Sequence, residues 1–184
     1  MLIRVLAPLS VALLCGATLY QIVRPSTPRL LYNPSPSAPV GWYRVYRDFE
    51  VRRGLRIAAD LPEDARRLAV ERRYLPPKIP LIKTVWAVPG EDVCHVGDRV
   101  EVDGRPPLVV LSDDQFGRTL PRLSGCYRLG SDEVFLVSND VQTSFDSRYF
   151  GPVGVDLILG QVEYLGRFKS RLERIGALQG AGRG

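Results

Sequence analysis

The sequence predicts a mainly β domain with one short helix, set behind an apolar N-terminal segment that could cross a membrane as a helix. Three observations carry that prediction. Glycine and proline number 17 and 15 among 184 residues, which suits short strands joined by tight turns better than a helical bundle. Runs of β-branched and aromatic residues recur between turn dipeptides such as Pro89-Gly90 and Asp103-Gly104. Only one internal segment carries helix signals at both ends. With residues 1–24 set aside, about 160 remain, the usual size of a single domain able to bury a sizeable core.

Val5 to Val23 holds no charged residue over 19 positions. As a helix it would be about 28 Å long, just enough for a bilayer core. Arg4 and Arg24 flank it, so both ends are positive and the orientation signal is modest. Residues 1–24 are therefore expected to be an uncleaved anchor; a cleaved signal sequence, with Cys15-Gly16-Ala17 as a loose small-residue site, is the rival reading. A lipid-attachment site is excluded because Leu14, directly before Cys15, is too large for the usual pattern.

Arg24 to Pro39 contains five prolines and three serines. Residues 25–36 read as a stiff, extended connector that runs into a loop where Ser35 and Ser37 stand among Pro34, Pro36 and Pro39. Each proline fixes its own φ and pushes the preceding residue toward extended geometry, so a hydroxyl can be presented without ordering a flexible loop. Composition alone would allow a simple linker. The run Trp42-Tyr43-Arg44-Val45-Tyr46 immediately behind argues instead for a strand entering a core.

A strand over Leu55 to Ala59 follows the Arg53-Gly54 turn. The helix comes next: Pro62-Glu63-Asp64 supplies a proline and two acids for the first turn, Ala65, Leu68 and Ala69 give apolar spacing, Arg72-Arg73 stand at the far end, and Pro76-Pro77 stops it. Leu81 to Val88 is an apolar strand that ends at Pro89-Gly90 and holds a single charge, Lys83. Two readings of that lysine are open. On an edge strand its stem would lie on apolar surface with the head in water; buried, it would lose solvation, its pKa would fall, and a neutral amine could serve as a general base. Val100-Glu101-Val102 and Leu108 to Leu111 flank a hairpin at Asp103-Gly104, the loop from Ser112 to Gly125 is long and polar, and Glu133 to Val137 and Val155 to Leu159 are further strands. From 167 to 184 the chain is basic, then glycine-rich, and is expected to be a disordered tail.

Three blocks now stand in order: Ser35-Pro36-Ser37-Ala38-Pro39-Val40-Gly41-Trp42-Tyr43; Lys83-Thr84-Val85 with Pro89-Gly90-Glu91-Asp92; and Asp146-Ser147-Arg148-Tyr149-Phe150-Gly151-Pro152. Together they resemble the Ser/Lys signal peptidases, and more narrowly their conjugative branch, the TraF-type peptidases of plasmid transfer systems. The resemblance extends from Leu31 to about Leu165 and implies a signal-peptidase-like β-fold over a domain of residues 37–166. It implies Ser37 as nucleophile, Lys83 as general base, Ser35 and the Ser37 amide as oxyanion donors, Ser144 and Asp146 as groups that orient the lysine, and Arg148 as the partner of Asp146. A plain turn tied by an aspartate–arginine pair is the structural alternative for the last block. The chain departs from the housekeeping pattern before the last block, where those enzymes carry a Gly-Asp-Asn segment and this chain has Ser138-Asn139-Asp140-Val141-Gln142-Thr143, and at Thr84, where they usually carry arginine.

The function so implied is a membrane-associated serine endopeptidase that processes, and by aminolysis could cyclise, the pilin precursor of a conjugative type IV secretion system. Its domain would face the periplasm from the bacterial inner membrane, its partners would be the pilin precursor and the secretion and mating-pair proteins, and it would need no cofactor. A general type I signal peptidase and a catalytically silent assembly protein are the alternatives. Cys94 and Cys126 could form a bridge closing a loop of about 30 residues, worth roughly 3 to 4 kcal/mol in the chain-entropy model, or could be two buried thiols. His95, the only histidine, follows Cys94 with no partner pattern, and no Cys/His spacing suggests a metal. The net charge of +5 comes from arginines scattered singly and in pairs. Without a basic stripe or a stacking set, direct nucleic-acid binding is not expected, and anionic lipid headgroups near the membrane explain the charge more simply.

Overall fold

The computed structural model describes residues 29–138 and 140–167. The expected anchor over residues 1–24, the first residues of the connector and the tail beyond 167 lie outside the described residues. Among the described residues no helix is long and apolar enough to cross a membrane.

The chain begins with strands β1 (Leu30–Asn33), β2 (Gly41–Tyr46) and β3 (Arg56–Ala59), then helix α1 (Glu63–Glu71) and strand β4 (Leu81–Ala87). Next come β5 (Asp92–Val96), β6 (Arg99–Val102), β7 (Leu108–Val109) and β8 (Gly125–Arg128), and last β9 (Glu133–Val137), the short helix α2 (Ser147–Phe150), β10 (Val153–Gly154) and β11 (Ile158–Gly166). Two antiparallel sheets result: one of seven strands ordered β1-β2-β11-β3-β4-β9-β10, the other of four ordered β7-β6-β5-β8. The domain is thus mainly β, as the turn-rich composition predicts. The sheet starts earlier than the sequence suggests, because Leu30–Asn33, inside the stretch read as connector, pairs along β2. Its alternation is clear, with Leu31 and Asn33 buried and Leu30 and Tyr32 exposed, but proline on both sides hides a four-residue strand.

β4 lies in the interior of the large sheet, between β3 and β9, and apolar groups cover it on both faces. One cluster gathers Ile57, Ala59, Val85, Val134, Leu136 and Val153. Another joins Trp86, Phe135, Val137 and Tyr149 to Val93, Val100 and Val102 of the small sheet. That double cover is why β4 reads as a continuous apolar run instead of an alternating one, and it settles the position of Lys83, which is 3% exposed on a central strand. An edge-strand lysine with its head in water is therefore excluded.

Helix α1 packs Ala65 and Ala69 against Leu61, Leu75 and Leu81. It ends at Glu71, so the two arginines expected in its last turn instead cap it and follow it. In the small sheet Cys94 and Cys126 stand opposite each other in register on β5 and β8 and are joined by a disulfide. His95 beside them is buried and stacks on Tyr127.

Candidate active site

The loop between β1 and β2 carries both serines, and side chains hold it more than its prolines do. Asn33 ends β1 with its side chain buried. Its Oδ1 accepts the Ser35 amide at 3.1 Å, and its Nδ2 donates to the carbonyls of Ser35 at 2.8 Å, Ala38 at 3.1 Å and Pro39 at 3.3 Å. Tyr43, fully buried in β2, donates to the Pro39 carbonyl at 2.7 Å. Gly41 is needed where the loop re-enters the sheet: its φ is +148°, and a Cβ there would lie 2.6 Å from the Gly166 carbonyl oxygen. The glycine and tyrosine of the first sequence block thus have physical reasons. Ser35 Oγ donates to Ser37 Oγ at 3.1 Å and accepts the Ser37 amide at 3.3 Å. In this state the amide expected to bind an oxyanion is occupied by a weak internal contact.

Lys83 is positioned differently. The register β4 keeps with β9, Thr84 opposite Val137 and Val85 opposite Leu136, places Ser138 across from Lys83 just past the strand end. The Lys83 ammonium donates to Ser138 Oγ at 2.9 Å and to Ser144 Oγ at 2.6 Å. Burial lowers its pKa from 10.5 to about 8; the charge of Asp146 opposes the shift and that of Arg148 assists it. The Asp146 charge thus keeps the ammonium a weaker acid than burial alone would make it.

Ser144 contacts the amine as the resemblance implies, but Asp146 does not. Asp146 Oδ1 accepts Arg148 Nε at 2.8 Å, while its Oδ2 accepts Arg148 Nη2 at 2.9 Å and the Ser138 amide at 3.0 Å. Arg148 Nη2 also donates to the Ser144 carbonyl at 3.2 Å and the Val141 carbonyl at 3.3 Å, and Nη1 donates to the Val109 carbonyl at 3.0 Å. The aspartate therefore acts on the lysine through the Ser138 backbone, and its arginine partner through the backbone of Ser144. The pair is 2% and 0% exposed, far from a solvent-exposed turn contact of little value. Ser138 is the contact that sequence reasoning missed. Only the strand register brings it to the amine. Asn33 was missed for a related reason: an asparagine before proline reads as turn punctuation.

Ser37 does not hydrogen-bond Lys83 in this structure. Both residues, together with Pro36, Ile82 and Val141, line two adjoining cavities, one of about 250 Å³ and one of about 160 Å³. The larger is also lined by Ser35, Ser144 and Phe145, by Arg73, Tyr74 and Leu75 after α1, and by Asp114, Gln115 and Leu120 of the long loop. The smaller is also lined by Ala38, Pro39, Arg56, Thr84, Ser138 and Asp140. A hydroxyl and an amine of lowered pKa thus share the walls of a cleft that continues to both sides of them. Such a cleft can take an extended peptide with its reacting carbonyl at the junction.

Residues 2–165 match the family described as signal peptidase, peptidase S26. A probable conjugal transfer protein TraF of Sinorhizobium fredii is 39% identical over 139 residues, which is 70% of this chain and 72% of that protein. The conjugal transfer protein TraF of Agrobacterium fabrum is 34% identical over 138 residues, 70% of this chain and 77% of its own length. A plasmid transfer protein TraF of Escherichia coli is 42% identical over 82 residues, and this match spans less than half of each chain, 43% of this one and 46% of the relative.

Proposed function

The chain belongs to the signal peptidase family, peptidase S26, it is similar to conjugal transfer proteins, and on that premise we propose a periplasm-facing serine endopeptidase, anchored by residues 1–24, that matures the pilin precursor of a conjugative secretion system. The observation that carries this reading is the Lys83 amine, buried, lowered to a pKa of about 8 and held by two serines, on the same cleft as Ser37.

A neutral amine has two protons and one lone pair. With the protons directed at Ser138 and Ser144, the lone pair is left for a third partner, and Ser37 is the hydroxyl that shares both cavities with it. Ser37 Oγ attacks the scissile carbonyl as its proton passes to Lys83 Nζ. The Ser37 amide and the Ser35 hydroxyl turn from each other to the oxyanion; preorganised donors of this kind contribute about 3 to 4 kcal/mol each in related chemistry. Lys83 returns the proton to the departing amine, leaving an ester on Ser37. Water then releases a linear product, whereas the amino terminus of the same pilin chain would close a ring. The Cys94–Cys126 disulfide suits the oxidising compartment this places the domain in.

The test is mass spectrometry of the pilin from cells carrying the wild-type chain or its Ser37→Ala form. Unprocessed pilin and lost plasmid transfer in the variant are expected. Normal maturation and transfer would overturn the enzyme reading and favour an assembly role, and rescue of a strain depleted of its housekeeping enzyme would point to a general signal peptidase.

A further inference from the structure

Helix α1 ends in a motif that normally requires glycine. The Arg73 amide donates to the Val70 carbonyl at 3.0 Å and the Tyr74 amide to the Ala69 carbonyl at 2.8 Å, the paired bonds of a Schellman C-cap. The residue after the cap then takes a left-handed conformation, and here that residue is Arg73, with φ +58°, the only non-glycine residue of positive φ among those described. Glycine would adopt this shape without the steric cost that a Cβ incurs. Helix geometry therefore explains the conformation but not the arginine.

The surroundings supply a reason. Arg73 lines the larger cavity with Ser37 and Lys83, and its guanidinium makes no hydrogen bond or ion pair among the described residues. Its neighbours are fixed by one another. Tyr74 donates to Asp114 Oδ2 at 2.5 Å, Arg118 Nε donates to the same oxygen at 2.7 Å, and Asp114 Oδ1 accepts the Phe116 and Arg118 amides at 2.8 and 3.0 Å. Burial alone would raise the Asp114 pKa, but these donors hold it well below the usual carboxylate range. The one carboxylate on this cavity is thereby satisfied, and the rigid Tyr74–Asp114–Arg118 unit fixes the chain beside Arg73. Arg73 is exposed, and an arginine without an internal partner, in an unfavourable backbone shape and lining a substrate cleft, is the pattern expected where strain is retained for recognition.

We propose that Arg73 is a specificity residue that pairs with a carboxylate of the peptide substrate lying in the larger cavity, and so selects chains with an acidic group at a fixed distance from the scissile bond. The inference rests on the peptidase reading above. The carboxylate can come from an Asp or Glu side chain or from a chain terminus close to the cut.

The test uses the full-length protein in detergent and alanine-rich peptides carrying a single glutamate, or glutamine, at each position in turn, each made as the C-terminal acid and the C-terminal amide. Cleavage is read as kcat/KM, and binding is read separately with the Ser37→Ala form. Wild type should favour glutamate over glutamine by about tenfold at one position, the scale of a charge-assisted hydrogen bond. Arg73→Gln should remove that preference, and Arg73→Glu should reverse it toward glutamine. Arg73→Gly should lose it while melting higher than wild type, a combination that a purely structural arginine would not give. A preference for the C-terminal acid over the C-terminal amide, whatever the position of the glutamate, would assign the chain terminus as the carboxylate. An undiminished preference in Arg73→Gln, or one lost only in Arg56→Gln on the smaller cavity, overturns the proposal. Should no peptide be cleaved, the peptidase reading fails, and equal binding by the Ser37→Ala form with and without Arg73→Gln would then overturn the Arg73 assignment independently.

Discussion

The two walls of the cleft are organised on opposite plans. The serine wall is local: every hydrogen bond that holds Ser35 and Ser37 comes from Asn33 or from one serine to the other, and the loop's far end hangs on Tyr43. The lysine wall is assembled from afar, since Lys83 meets partners 55 and 61 residues away and an ion pair outside its reach fixes them. Chemistry explains the split. A serine hydroxyl needs only orientation and can remain half-solvated, whereas an amine loses its proton near neutral pH only if several elements of the core exclude water from it.

The contrast yields an ordered set of expected outcomes. Lys83→Met should have the largest effect on activity, abolishing pilin cleavage, and Lys83→Arg should do the same because neither supplies a free base at neutral pH. The effect of Lys83→Met on stability should run the other way. The folded pKa lies below the unfolded one, so the unfolded chain binds more protons between about pH 8 and 10.5, and the cost of burial is complete below pH 8 and fades above it. Melting curves of Lys83→Met and wild type should accordingly differ in favour of the variant most at pH 7, with the difference shrinking toward pH 10. A difference that ignores pH would show that folding does not lower the pKa of the amine.

Asp146→Asn comes next, and its effect is on the fold first. Breaking a buried ion pair costs about 3 to 5 kcal/mol, which urea denaturation would read directly; a loss below about 1 kcal/mol would mean that the pair is solvated. On the serine wall Asn33→Ala should lower kcat by about tenfold to a hundredfold, the scale of a small misplacement of a reacting group, with a smaller loss of stability than Asp146→Asn. If its stability falls as far as that of Asp146→Asn, the local-against-distant contrast is wrong. Ser138→Ala is the mildest of the set. Removing an acceptor from the ammonium should move the midpoint of the pH–rate profile below its expected value near 8 and reduce the plateau; an unmoved midpoint would show that the Ser138 hydroxyl does not tune the amine.

Much of this was legible in the chain itself. Period and turn chemistry identified β2, β3, β4, β9 and α1, because each is bounded by glycine or proline and has an unambiguous pattern. The chain marked Ser35 and Ser37 as serines among prolines and Lys83 as a lysine in an apolar run, while Ser144, Asp146 and Arg148 were marked only by the family resemblance. β1 escaped because four residues between prolines give too short a pattern, and β8 because Gly125 and Cys126 carry little strand preference.

The sequence by itself determined which residue types could do acid–base chemistry and that one lysine stands in an apolar run, because residue type and local period are properties of neighbours along the chain. Tertiary structure alone decided that β4 is central and not an edge, that Ser138 faces the amine, that Asp146 works through the backbone, and that Arg73 shares a wall with Ser37. Those facts depend on strand order and register, where a shift of one residue would send Ser138 to the opposite face.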